Sequence, residues 1–346
     1  MIRAAFVFQN PRRQLLDEIR AGREPDTILL GLNHLDQFGV DARIHDPPKG
    51  GGAFFRLAWT ARELPLVWGL RNVDVAFTPL ANLFPLAARA RGRPPVVVVN
   101  YGLNTIYARS TRPRRRLLAA NLRSARQITA LAEAQQRELI ETMGIGAARV
   151  HTVLLGADID WFTPRPGNGR DPYVLTVGKD LARDLGTFAD AVASLDVRVE
   201  VVAHPRNLAD VTIPPNVRVR SFVSTPELRD LYAGAACVVV PQRRDGYRYG
   251  SEGGGLTTVC EAMAMGKPIV ATDRAALRDY LDADELVAPE DPAALRAGIE
   301  RVLADEGTAT ERGERARRRA EERHSTRRFA EQLAPILRAA TSGGGS

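Results

Sequence analysis

Short apolar runs alternate with stretches of helical period along most of the chain. Ala4–Phe8 reads as a buried strand, and Asp26 can cap a helix running to Phe38, with Gly39 as its stop and Val40–Ile44 as the next strand. Further strands are predicted at Asp74–Phe77, Pro95–Val99 and Val150–Leu155, with helices at Arg114–Arg123 and Glu133–Met143. The unbroken β-branched run at 96–99 suits a parallel strand covered on both faces. Trp161–Gly169 breaks every period and is taken as the domain boundary.

The second half repeats the scheme. Strands are predicted at Tyr173–Val177, Val197–Ala203, Val217–Phe222, Cys237–Val240, Ile269–Thr272 and Leu286–Val287. Thr225 before Pro226 and Asp291 before Pro292 are legible helix caps. Glu311–Ala340 is helical and arginine-rich, which suggests a solvated face, and Thr341–Ser346 reads as a flexible linker or a cloning scar. Strand–helix alternation in both halves predicts an α/β protein of two doubly wound, Rossmann-like domains with parallel sheets. The expected divisions are 1–163, 164–325 and a C-terminal helix and tail at 326–346 that could cross back to the first domain. Ligands of such sheets bind beyond the carboxyl ends of the strands, so a site in an interdomain cleft is expected.

Composition narrows the class. The 346 residues suffice for about two domains of roughly 150 each. Hydrophobic residues at 45% and charged residues at 26% exclude wholesale disorder, collagen and coiled coil. Cys237 and Cys260, both in apolar runs, cannot form a disulfide framework or a four-thiolate zinc site. No run approaches the eighteen or so apolar residues of a membrane span, and the apolar stretch at Ala4–Phe8 is too short for a signal h-region. A cytoplasmic protein is expected.

Of the net charge of +7, residues 1–163 carry +8 and residues 164–346 carry −1. The excess gathers at Arg112 and Arg114–Arg116. Together with the aromatic stretch Phe54–Trp68, that run leaves open a peripheral contact with the inner face of a membrane, against the plainer reading of core aromatics beside a solvated loop. No nucleic-acid-binding pattern accompanies the basic residues. Only Lys49, Lys179 and Lys267 are lysine among 48 cations, a bias that leaves lysine where a compact ammonium is preferred to a fork.

The densest chemistry lies at Gly253-Gly254-Gly255-Leu256-Thr257-Thr258 through Glu261. Glycines allow close backbone approach, and Thr257 can cap a helix whose free N–H groups and dipole favour an anion. Thr257, Thr258 and Glu261 share one helix face, so a diphosphate at the helix start leaves a carboxylate roughly 5 Å along the axis, in reach of ribose hydroxyls. Gly266 and Pro268 stop the helix. Upstream, Gly178 ends a strand, and Lys179 and Arg183 can converge on the same diphosphate and stabilise charge on a departing phosphate without a metal. The competing reading is two solvated cations paired to Asp180 and Asp184. Asp158-x-Asp160 and Asp282-x-Asp284 spell a metal-binding pattern, but neither sits in a plausible carboxylate cluster, so no metal or other cofactor is expected.

These segments, in order, resemble the retaining glycosyltransferases of family four, which have the two-domain GT-B fold. Leu155–Pro164 is similar to the family's Gly-Val-Asp…Phe-x-Pro segment. Gly178, Lys179 and Arg183 match the Gly-Arg…Lys diphosphate clamp with the cations exchanged. Ser221–Ser224 resembles the stretch whose backbone contacts the base, which assigns Val223 to the donor. Glu261-Ala262-Met263-Ala264 with Gly266 and Pro268 matches the Glu-Ala-Met-Ala-x-Gly-x-Pro signature, in the subset with Gly-x-Thr-Thr before it. The resemblance implies a metal-independent, retaining transfer of a sugar from a nucleoside diphosphate, UDP or GDP among them, to a glycan, lipid or small-molecule hydroxyl. Lys179, Arg183 and Glu252 would serve catalysis; Gly178, Val223, Gly255, Leu256, Thr257, Thr258 and Glu261 would bind the donor; Asn100, Tyr101 and Arg23 would face the acceptor. The chain departs from the family at Gly253, where a first glutamate is usual and Glu252 is one residue off. It also reads Asn100-Tyr101-Gly102 where many members carry a histidine, and Ala21–Asp26 replaces the glycine-rich acceptor loop. A nucleotide-sugar epimerase of the same fold and a non-catalytic nucleotide-sugar-binding protein remain alternatives.

Overall fold

The computed structural model describes residues 1–8, 10–46, 63–79, 81–167 and 172–342. Most of the aromatic stretch from Phe54 falls outside them. The chain divides into two compact units: 1–22, 26–154 and 326–346 form the first, and 23–25 with 155–325 the second.

The first unit is built on a six-stranded sheet of β1 (Ile2–Val7), β2 (Val40–His45), β3 (Val75–Thr78), β4 (Val96–Asn100), β5 (Gln127–Ala130) and β6 (Val150–Thr152). Its order is β2-β1-β3-β4-β5-β6, and every pairing is parallel. Val96–Val99 are at most 2% exposed, as a strand covered on both faces requires, and each buried valine contributes about 1.5–3 kcal/mol.

The second unit carries β7 (Tyr173–Gly178), β8 (Arg198–Ala203), β9 (Val217–Arg220), β10 (Ala235–Val240), β11 (Ile269–Thr272) and β12 (Leu286–Val287) in the order β12-β11-β10-β7-β8-β9, again parallel throughout. In each sheet the order of strands reverses once. In the first the reversal lies between β1 and β3, in the second between β7 and β10, and at such points the connections leave towards opposite faces and open a crevice beyond the carboxyl ends.

Several local expectations need correction. The predicted helix from Asp26 to Phe38 is two 3₁₀ segments, Thr27–Leu29 and Leu32–Phe38, interrupted where Leu30 and Gly31 adopt positive φ of 56° and 73°. Helices at Arg13–Arg20 and Leu103–Arg109 were not legible. The cap of helix Thr225–Gly234 is Ser224, whose hydroxyl accepts from the Glu227 amide at 3.3 Å; Asp291 caps Pro292–Leu303 as expected. The arginine-rich tail is not one solvated helix. Glu306–Arg323 and Thr326–Thr341 are separate helices, joined through buried His324 and Ser325. In the first of them Arg317 donates to the carbonyls of Ile159, Phe162 and Ala264, and Arg319 to that of Tyr280.

Candidate active site

The reversal between β7 and β10 places two loops side by side. One runs from Gly178 to Arg183 after β7; the other runs from Gln242 to Gly255 after β10 and enters helix Leu256–Ala264. An antiparallel bridge between Arg183 and Gln242 ties them together. Asp180 tightens the join, accepting the amides of Ala182 at 2.7 Å and Ser251 at 3.2 Å.

Arg183 is 5% exposed, yet its guanidinium makes a single hydrogen bond, to Thr258 Oγ1 at 2.8 Å. Its Nε and Nη1 are buried without a partner. Burial lowers its pKa to about 10, opposed by Tyr232 and Asp180 and aided by Arg274. Neither flanking aspartate pairs with it: Asp180 serves the loop, and Asp184 caps helix Leu185–Val192 through Thr187 and meets Arg243 at 3.2 Å. The solvated-cation reading therefore does not describe Arg183. Lys179 is exposed, and its ammonium sits 6.0 Å from the centre of the Phe222 ring, on the β9 side.

Two glycines make this arrangement sterically feasible. A Cβ on Gly178 would fall 1.9 Å from Arg183 Nε, so only glycine lets the guanidinium lie against the strand end. Gly255 has φ of 93°, and its Cβ would meet Val240 Cγ1 at 2.9 Å and Gln242 Nε2 at 3.0 Å. It is Gly255, not Thr257, that caps the helix: no side chain caps the first turn, and Thr257 is exposed one residue inside it. The helix thus opens with free backbone N–H groups beside the Arg183 guanidinium, whose Nη1 lies 3.8 Å from the Gly255 Cβ position. Leu256 is buried beneath that turn and Glu252 lies in the turn leading to it.

Further along the same face, Thr258 Oγ1 bonds the Val177 carbonyl at 3.2 Å, and Glu261 Oε2 accepts from Tyr232 Oη at 2.9 Å. Desolvation raises the Glu261 carboxyl to about 7, which the Tyr232 hydrogen bond opposes. Val223 lies half-buried in the turn between β9 and the Ser224 cap; Phe222 beside it is 73% exposed and meets His204 edge-on at 6.3 Å.

Sequence reasoning missed Gln242 and Arg274. Gln242 is fully buried with Nε2 unpartnered; its Oε1 accepts from Arg274 Nη1 at 3.4 Å, which aims the amide nitrogen towards Gly255. Arg274 is held by Asp245 at 3.1 Å. Both follow the carboxyl ends of strands, β10 and β11, and that position was the available signal.

In the first unit, Asn100 is buried at the end of β4. Its Oδ1 accepts the amides of Gly102 at 3.0 Å and Leu103 at 2.8 Å, and its amide donates to Asn104. Tyr101 is 40% exposed and close enough to act on Arg12 electrostatically. Arg12, missed in sequence, stacks on Phe8 at 4.5 Å just after β1, at that sheet's reversal, and burial lowers its pKa. Arg23 is half-buried and falls in the segment 23–25 that groups with the second unit.

Contrary to the expectation that neither Asp-x-Asp lies in a carboxylate cluster, Asp282 and Asp284 join Glu285, among the described residues, in one acidic group close enough to share an ion, because the 3₁₀ turn at 283–285 folds them together. Arg319 pairs with Asp282 and Glu285, and Arg312 and Arg315 with Asp284, so guanidinium groups already occupy these carboxylates. Asp158 instead accepts the amides of Asp160 and Trp161. A cavity of about 750 Å³ against Ala235, Lys267 and Pro268 contains none of the predicted site residues.

Two parallel, doubly wound sheets with a ligand crevice at a strand reversal define the GT-B class. A family model described as "Glycosyl transferases group 1" matches residues 171–305, and one described as "Glycosyltransferase Family 4" matches 19–161. Each half of the chain thus matches a glycosyltransferase model, one per compact unit. It is 29% identical over 233 residues to an MMP alpha-(1->4)-mannosyltransferase of Mycolicibacterium hassiacum, covering 62% of this chain and 55% of the relative. It is 29% identical over 241 residues to a D-inositol 3-phosphate glycosyltransferase of Kineococcus radiotolerans, covering 57% and 54%. The chain spans about half the length of these curated relatives. Among solved structures it resembles sucrose-phosphate synthase of Thermosynechococcus elongatus, with TM-score 0.75, 18% identity and coverage of 98% and 99%. It also resembles Anabaena Alr3699/HepE in complex with UDP and glucose, with TM-score 0.72, 15% identity and coverage of 98% and 100%. No helix among the described residues is long and apolar enough to cross a membrane.

Proposed function

We propose that this protein transfers a sugar from a nucleoside diphosphate to an acceptor hydroxyl, with retention at the anomeric carbon and without a metal, in the subset marked by Gly255-Leu256-Thr257-Thr258. One observation carries the reading: a buried arginine whose Nε and Nη1 lack partners, facing a helix start beside an unpartnered Gln242 amide. Burying such donors unpaired costs roughly 1–3 kcal/mol each, more when charged, and a diphosphate would satisfy them. Arg183 and the first-turn N–H groups would hold the phosphates, Lys179 would approach from the β9 side, and Glu261 would accept ribose hydroxyls. Val223 and Phe222 mark the base end. The bond from the anomeric carbon to the phosphate oxygen breaks as the acceptor oxygen bonds the same face, and the departing phosphate takes the acceptor proton. Cationic donors fixed where that negative charge develops lower the barrier without reorganisation. The HepE structure with UDP supports a nucleotide in a fold of this kind.

Thermal shift with UDP, GDP, ADP and dTDP tests the reading, because a ligand bound only by the folded state raises the melting temperature. At least one nucleotide should stabilise the wild type and fail to stabilise Arg183→Gln. No shift with any of them, in EDTA or with added magnesium, would overturn it. The anomeric configuration of the product, read by NMR, tests retention.

A further inference from the structure

The opposite edge of the first sheet carries a second concentration of positive charge. At the amino ends of β4, β5 and β6, a cavity of about 660 Å³ is lined by Arg89, Arg93, Arg123, Arg126 and Arg149, and no carboxylate lines it. The chain arrives there by construction. Arg89 lies in the last turn of helix Phe84–Ala90, Arg93 precedes the two prolines leading into β4, and Arg123 lies in the last turn of helix Arg112–Ser124. Arg126 and Arg149 immediately precede β5 and β6.

Cations near helix C-termini are ordinary, because they satisfy the last carbonyls and complement the dipole. Arg149 does so, donating to the carbonyls of Arg123, Ala125 and Arg126. That accounts for one of the five. Among the described residues none of the other four guanidinium groups forms an ion pair, and Arg93 Nε is buried with no hydrogen-bond partner. Burial first, then the nearby Arg126 and Arg89, lowers the Arg149 pKa.

We propose that this cavity is a second anion site, distinct from the β7/β10 crevice, that binds a multiply charged phosphate group. Guanidinium forks match phosphate oxygens bidentately, and the volume accommodates a small phosphorylated molecule. A soluble phosphate ester and a phospholipid headgroup share this chemistry.

Titration calorimetry with inorganic pyrophosphate at low salt, on the full chain, tests the assignment. Arg89 and Arg126 are exposed, so Arg89→Gln/Arg126→Gln should melt within a degree or two of the wild type. The wild type should show two classes of pyrophosphate site. Arg183→Gln should keep the class that the double variant weakens by about tenfold or more. If Arg183→Gln alone changes nothing, the donor reading fails and this one stands. Vesicles of phosphatidylglycerol in phosphatidylcholine identify the source: sedimentation of the wild type but not of the double variant assigns a lipid headgroup, and pyrophosphate binding without vesicle binding assigns a soluble phosphate. If the folded double variant binds both probes as the wild type does, the proposal is overturned.

Discussion

At the carboxyl edge of β4, Asn100 spends its side chain inward: two backbone amides fill its oxygen, and its amide reaches Asn104. At the carboxyl edge of β7, Arg183 is just as buried but leaves two nitrogens unmatched, and Gln242 leaves a third. The same α/β architecture thus holds one polar cluster that is complete without a ligand and one that is not. A satisfied buried polar group contributes to stability, whereas an unsatisfied one costs stability and is retained where a bound group completes it. The two edges should therefore answer to mutation in opposite ways.

The largest effect is expected at Arg183. Arg183→Gln should lower kcat by about 100- to 1,000-fold, the scale of losing one preorganised charge-stabilising donor, while raising the melting temperature because a costly buried charge is gone. A variant with wild-type turnover would remove Arg183 from the mechanism. Gly178→Ala asks the same question without touching the arginine. The new Cβ would fall 1.9 Å from Nε, so the flexible guanidinium must swing away. Donor KM should rise by about tenfold or more with little loss of melting temperature; a rise confined to instability would mean the strand end itself was strained.

Asn100→Ala should show the reverse pattern. Losing both amide contacts costs about 1–3 kcal/mol of stability, read as a lower urea midpoint, while acceptor KM changes less than the melting temperature does. A large rise in acceptor KM at unchanged stability would restore the acceptor role assigned from the sequence and break the contrast.

The sequence revealed the sheets far better than the site. Unbroken apolar runs such as 96–99 and 269–271 have one stable solution, a covered parallel strand. Glycines and threonines at 253–258 marked the helix start, because close approach and free N–H groups leave a local signature. What could not be read depends on long-range placement. Thr257 has the right side chain for a cap, but the positive φ at Gly255 sets the helix start two residues earlier. Gln242 matters only because β10 ends beside β7 and Arg274 turns its amide, a relation between residues 32 positions apart. The arginine-rich tail looked solvated because composition carries no record of the carbonyls that Arg317 and Arg319 would find.

The smallest effect, and the sharpest in sign, concerns Glu261. Its carboxyl is raised from 4.5 to about 7 by burial, so the folded state holds a proton that the unfolded chain has released. A raised folded pKa contributes stability that is fully present below about 4.5 and is lost as pH rises through about 7. Glu261→Gln removes the ionisation and keeps the shape. The variant should therefore match the wild type near pH 4 and melt higher at pH 8, by about 2–4 °C for each kcal/mol of desolvation relieved. Nucleotide binding should move the other way. Ribose hydroxyls donating to the ionised carboxylate favour its charged form, so wild-type affinity should strengthen as pH rises towards 8, and the Gln variant should bind more weakly with a flat profile. If the stability gap is pH-dependent but the affinity profiles are parallel, Glu261 is a buried acid paired with Tyr232 and makes no contact with the ribose.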